Sequence, residues 1–213
     1  MIQDIARILA VAQDWPANEL QQDPGAYRLG YTALRKLFDT HLDYRNVDDV
    51  RIGGYAVYGW MPRLLRVWAS DDTLLSLGRL AVLARTRPRA EVRHALDEQF
   101  AAGHSPFQAF NNSAVGTSKF LHFAAPHVFP IWDSVVAGNF GLTTQVAISR
   151  QSHYVHYFDA IHTCIEGNAE TRELLRTLLL PNVTDVRSLE YVLFLNGLKL
   201  HSARRQPTPE ADC

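Results

Sequence analysis

The chain has 213 residues, of which 47% are hydrophobic, which suits one compact domain or two small lobes around a shared cleft and leaves little room for disorder except at the ends. A formal net charge of -1 neither implies nor excludes nucleic acid, because binding depends on how charge is distributed over the surface. With only Cys164 and Cys213, far apart and without metal-ligand spacing, a disulfide framework, a zinc finger and a four-cysteine iron-sulfur cluster are all excluded, and a reducing cytoplasm fits best.

The N-terminal MIQDIARILAVAQDW carries Asp4 and Arg7 and reads as an amphipathic helix rather than a signal or membrane segment. Ile2, Ile5, Ile8, Leu9 and Ala12 recur at helical spacing, as do Tyr31, Leu34, Leu37, Phe38 and Leu42, with breaks at Pro16 and at Pro24-Gly25. RIGGYAVYGWMP, residues 51 to 62, mixes glycines with Tyr55, Tyr58 and Trp60 and reads as a loop, with Pro62 starting the helix MPRLLRVWA. TLLSLGRLAVLART and PRAEVRHALDEQFAAG follow as helices separated at Arg87-Pro88, with Gly103 as a stop. SHYVHYFDAIHTCIEG, AETRELLRTLLL and DVRSLEYVLFLNGL are three more, the last with Asp185 as its expected N-cap. No alternating hairpin pattern and no repeat is visible, so the expected fold is all-α: one multi-helix globular domain over residues 1 to 201, as a single body or as two lobes sharing a cleft, followed by a disordered tail from Ser202.

The chemistry concentrates in AVGTSKFLHFAAPHVFPIWDS, residues 114 to 134. Only three lysines, Lys36, Lys119 and Lys199, stand among 21 basic residues, and a lysine amine can lose its proton and attack an electrophilic carbon, which a guanidinium effectively cannot. Val115-Gly116-Thr117 reads as a tight turn into an apolar helix that bears Lys119 and stops at Pro126; the N–H groups at such an end can hold an anion such as a phosphate. Phe129-Pro130-Ile131-Trp132 then leads to Asp133, placed to cap a short helix beginning SVVAG.

This arrangement resembles the helix-hairpin-helix DNA glycosylase superfamily, which includes the 8-oxoguanine glycosylases. Ala114 stands where that family's first hairpin glycine usually does, Ser118 adds a residue before the lysine, and the interval of 14 residues from Lys119 to Asp133 is shorter than the family's. The resemblance implies a helix-hairpin-helix element whose turn, Val115, Gly116 and Thr117, binds a DNA phosphate. It also implies Lys119 as the nucleophile at C1′ of a deoxyribose and Asp133 as the carboxylate at the mouth of a base pocket. The roles are physically coherent, because cleaving an N-glycosidic bond builds positive charge on the sugar that a nearby carboxylate stabilises.

Around this pair, Asn112 and Ser118 are candidate DNA contacts, and His122, one turn beyond Lys119, is placed to orient or deprotonate it. Trp132, Tyr55 and Trp60 are candidates for stacking on a flipped base, although such rings are more often core. Residues 79 to 93 carry five arginines against one glutamate, a local net of +4, and Arg85, Arg87 and Arg89 are the expected phosphate contacts; a merely solvated helix pair is the plain alternative. His153 and His156 are one turn apart, but no third ligand has convincing spacing, so no metal and no cofactor are expected. The leading expectation is a cytoplasmic DNA glycosylase, with or without lyase activity, excising a damaged or modified base in DNA repair. The alternative is a non-catalytic helical module that binds DNA or protein, for example in a stress or phage-defence system. DNA is the expected partner, and no membrane is.

Overall fold

Apolar residues at helical spacing become helices that bury their apolar faces together. The computed structural model describes residues 1–16, 27–61, 63–101, 105–167, 169–178 and 183–205. Among them are eleven α-helices: α1 (Ile2–Ala12), α2 (Tyr27–Thr40), α3 (Val47–Trp60), α4 (Asp71–Thr86), α5 (Arg89–Ala101), α6 (Ala114–Ala124), α7 (Ser134–Gly138), α8 (Gln145–Ser149), α9 (Gln151–Gly167), α10 (Ala169–Leu178) and α11 (Asp185–Arg205). A 3-10 turn, Pro106–Gln108, precedes α6. No β-strand occurs among the described residues, only an isolated antiparallel bridge between Trp68 and Phe110, and the fold is all-α. No described helix is long and apolar enough to cross a membrane.

α6 is the axis. α2, α3, α4, α8 and the 3-10 turn all pack on it, and every residue from Gly116 to Ala124 is buried. A helix apolar nearly all round has to be enclosed on all sides. Phe120 meets Phe38, Tyr44 and Phe110 at ring-centroid separations of 5.2, 6.2 and 5.4 Å. Its C-terminal carbonyls are held from outside, because Arg35 donates to the Phe123 carbonyl and Arg85 to that of Ala124 at 3.1 Å. One continuous apolar cluster runs from Ile5 in α1 to Leu193 in α11.

Several elements differ from the sequence expectation. Residues 51 to 60, expected as a loop, form most of α3, and the two central glycines explain the difference: a Cβ on Gly53 would lie 2.7 Å from the Phe120 ring and one on Gly54 2.7 Å from the Phe110 ring. Gly53 lets α3 approach α6 closely and Gly54 lets it approach Phe110, and neither breaks the helix. Residues 63 to 69, expected as part of the helix MPRLLRVWA, are not helical. Asn111 Oδ1 accepts the backbone N–H groups of Arg66 and Val67 at 2.9 and 2.8 Å, and its Nδ2 donates to the Leu64 carbonyl at 3.0 Å, so three of the segment's backbone polar groups are satisfied without a helix. Pro62 and Gly103 lie outside the described residues.

Val115-Gly116-Thr117 is the first turn of α6, not a turn before it. The chain reverses at Asn111 and Asn112, whose φ values of 54° and 49° are left-handed, and Ser113 caps the helix by accepting the Val115 N–H. In α11 the cap is Thr184, which accepts the Arg187 N–H at 3.2 Å, with Asp185 in the first turn. That helix continues through Arg205, past the expected start of the tail at Ser202; the remainder of the tail lies outside the described residues.

Candidate functional site

Ser118 and Lys119 are consecutive on α6 and face different tasks. Ser118 Oγ accepts the Trp132 N–H at 3.1 Å and lies 3.2 Å from the Trp132 carbonyl, pinning the backbone just before Asp133 to the axial helix. Asp133 then caps α7, with Oδ1 accepting the N–H groups of Val135 and Val136 at 3.0 Å each. This leaves Oδ2 turned towards Lys119, whose Nζ lies 3.5 Å away; the two side chains are 9% and 17% exposed. The interval of 14 residues is therefore sufficient to bring the pair together. The Lys119 ammonium also lies 5.7 Å from the centroid of the Trp60 ring.

Lys119 and Asp133 open into one cavity of about 640 Å³. Its α6 wall carries Ser113, Val115 and Lys119, and Asp133, Ser134 and Val135 continue it into α7. Trp60, the last residue of α3, and Met61 after it also line the cavity, as do the exposed Arg63 and Arg66 of the non-helical segment. The facing wall is one stripe of α11, Arg187, Glu190, Tyr191, Phe194 and Leu198, at the spacing of a single helical face. Four cations (Arg63, Arg66, Lys119, Arg187) oppose two acids (Asp133, Glu190) around this space, a balance that favours an anionic ligand.

The sequence reading did not single out Arg187 and Glu190. They form an ion pair inside α11, with Glu190 1% exposed, and the guanidinium lies 4.8 Å from the centroid of Tyr31 and 5.5 Å from that of Tyr191. Burial pushes the Glu190 carboxyl up to about 7; Arg187 pulls the other way, and the negative charge of Asp133 adds to the rise. Burial likewise pushes the Tyr31 hydroxyl up to about 12, against Arg187 and Arg35. The signal in the sequence was a charged i, i+3 pair between Val186 and the run Tyr191 to Leu195, where an ordinary core face has no charge.

The remaining candidates separate into those at the cavity and those away from it. Val115 and Trp60 line it, as does Tyr58, while Ser118 supports Asp133 from behind. Gly116 and Thr117 are buried; Gly116 lies against the Tyr58 ring, and the Thr117 hydroxyl donates to the Pro106 carbonyl at 3.4 Å. Asn112 is exposed in the reversal and does not line the cavity.

His122 is fully buried. Burial, with Arg187 adding to it, holds its ring well below the ordinary histidine range, so the neutral ring donates from Nδ1 to the Phe129 carbonyl at 2.7 Å and accepts the Tyr31 hydroxyl on Nε2 at 2.9 Å. Those two bonds place it as a core residue that does not reach the cavity. Trp132 is also core, 0% exposed, with Nε1 donating to the Ile148 carbonyl at 2.8 Å and its ring 4.9 Å from that of Tyr157. Tyr55 lies on the surface, edge-on to Trp68.

The arginine stripe belongs to the other end of α6. Arg85 pairs with Asp39 at 3.2 Å, Arg87 with Glu91 at 3.9 Å, and Arg89 with Glu166 through two bonds of 3.0 and 2.7 Å; none of the three lines the cavity. Asp39 and Glu166, from elsewhere in the fold, thus answer two of these charges, while Glu91 is the stripe's own acid. Among the described residues no group of three or more His, Cys, Asp or Glu is placed to hold a metal ion, and His153 instead bonds the Ala147 carbonyl at 2.8 Å. No protein-family model, no curated protein and no solved structure matches this chain.

Proposed function

We propose that this protein cleaves an N-glycosidic bond, acting as a DNA glycosylase on a damaged or modified base through Lys119 and Asp133. One observation carries the reading: a nearly buried lysine amine lies 3.5 Å from a carboxylate whose other oxygen is fixed by two backbone N–H groups, and both open into a cavity of about 640 Å³. That volume lies within the range of small-ligand sites and accommodates one nucleoside unit. Asp133 would stabilise the positive charge that develops on the sugar as the base departs, and Lys119 would attack C1′. Trp60 offers a ring in the cavity lining, and Arg63 and Arg66 offer charge for the flanking phosphates.

The test is abasic-site formation, read with an aldehyde-reactive probe, on duplex and single-stranded oligodeoxynucleotides carrying oxidised, deaminated or alkylated bases. Product on at least one substrate is expected. Silence across the panel from folded protein that still binds DNA would replace the glycosylase with a non-catalytic DNA-binding module.

A further inference from the structure

The α11 wall holds a second carboxyl that the reaction proposed above does not use. Glu190 is 1% exposed, lines the cavity that Lys119 and Asp133 also line, and accepts an Arg187 N–H on Oε2. The two carboxyls are held in contrasting ways. Asp133 is gripped by two backbone N–H groups and an ammonium, whereas Glu190 projects from α11 and is paired through the Arg187 side chain. Reactions at a glycosidic bond use such pairs: one carboxylate faces the sugar while a more desolvated carboxyl supplies a proton to the leaving group.

We infer that Glu190 is a catalytic residue of this site, the proton donor to the departing base; the inference rests on the glycosidic reading above. The C1′–N bond breaks and its electron pair passes to the base, which takes the Glu190 proton. Lys119 passes a proton to Asp133 Oδ2, 3.5 Å away, and its amine forms the new bond to C1′. Glu190 ends as a carboxylate, Asp133 as a carboxylic acid and Lys119 as a substituted ammonium, so the net charge of the site is unchanged. The substrate class follows from this chemistry. A neutral base leaves poorly as an anion and needs the proton; a base that already carries positive charge does not.

The full-length chain with Glu190→Gln tests this, because the amide keeps the shape of the side chain and can still accept from Arg187 but carries no acidic proton. Single-turnover abasic-site formation is measured on oligodeoxynucleotides carrying 8-oxoguanine, hypoxanthine or uracil, which are neutral, and 7-methylguanine, which is already cationic. The variant is expected to lose about 100-fold on the neutral bases and to stay close to wild type on 7-methylguanine. Equal losses on both classes, or no loss on either, overturn the proton-donor role, as does a wild-type protein that excises only the cationic base. If wild type excises only neutral bases, Glu190→Asp decides: a rate well above that of Glu190→Gln supports a proton donor, and a rate no higher overturns it. A wild-type protein inactive on every probe overturns the glycosidic reading itself.

Discussion

The two walls of the cavity are built on opposite principles. The α6 wall presents a motif contiguous in sequence, in which Ser118, Lys119 and Asp133 fall within one short stretch and are fixed by local capping and backbone bonds. The α11 wall presents an ion pair hidden in an apolar helix far along the chain, held by tertiary packing. What joins them is α7. A Cβ on Gly197 of α11 would lie 2.3 Å from the Val135 carbonyl oxygen, Asn139 Nδ2 donates to the Leu193 carbonyl at 2.8 Å, and Asn196 Nδ2 donates to Asn139 Oδ1 at 2.7 Å. The helix that Asp133 caps is thereby keyed to the helix that carries Glu190. The contrast teaches that a local motif can place one reactive pair, while the distance to its counterpart depends on helix packing.

Separating the walls should have the largest effect. Gly197→Ala forces a methyl against backbone and is expected to cost about 3 kcal/mol, the upper end for overpacking, seen as a fall in Tm of several degrees by calorimetry; an unchanged Tm would show that α7 and α11 are not held by this approach. Ser118→Ala leaves the Trp132 N–H without its buried acceptor and should cost about 2 kcal/mol, with excision reduced because Asp133 is less well placed. Full activity in that variant would remove Ser118 from the support of the site.

Acid and base should act on buried groups of α6 and α11 with opposite sign. The Glu190 carboxyl is raised from 4.5 to about 7, so the stability it contributes is fully present below 4.5 and is lost as pH rises towards 7. His122 is held below its ordinary 6.5, so its contribution is present above that value and is lost as pH falls through the folded pKa. Thermal melts of Glu190→Gln against wild type should therefore show a difference that moves in favour of the variant from pH 5 to pH 8. A difference constant with pH would contradict the raised carboxyl. The smallest effect is expected at the arginine stripe: Arg89→Ala breaks a largely exposed pair with Glu166 and should cost under about 1 kcal/mol without changing excision, whereas a large activity loss would bring that surface into substrate binding.

The fold was readable where apolar residues keep helical spacing, as in α1, α4, α9 and α11. It was not readable where one residue type serves two purposes. Gly53 and Gly54 look like helix breakers but are sites of close packing against Phe120 and Phe110, and Pro62 looks like a helix start while Asn111, distant in sequence, takes the following N–H groups. At the cavity, the capping role of Asp133 was read from the residues, whereas the Lys119–Asp133 pair was expected only from the resemblance to the glycosylase superfamily. Arg187 and Glu190 followed from neither, because an apolar helix near the end of the chain reads as core until α7 and the reversal at Asn111 enclose a space beside it. For Trp132 and His122 the converse holds: proximity in sequence to Asp133 and Lys119 suggested function, whereas Trp132 Nε1 and His122 Nδ1 donate to buried backbone carbonyls and His122 Nε2 bonds the Tyr31 hydroxyl.

The most direct test compares single-turnover base release by wild type, Lys119→Gln and Asp133→Asn on the substrate that wild type excises best, with circular dichroism to show that all three are folded. The account predicts that Asp133→Asn abolishes base release and that Lys119→Gln abolishes the covalent enzyme–DNA adduct trapped by borohydride. Wild-type base release from folded Asp133→Asn, or an undiminished adduct from folded Lys119→Gln, would contradict it.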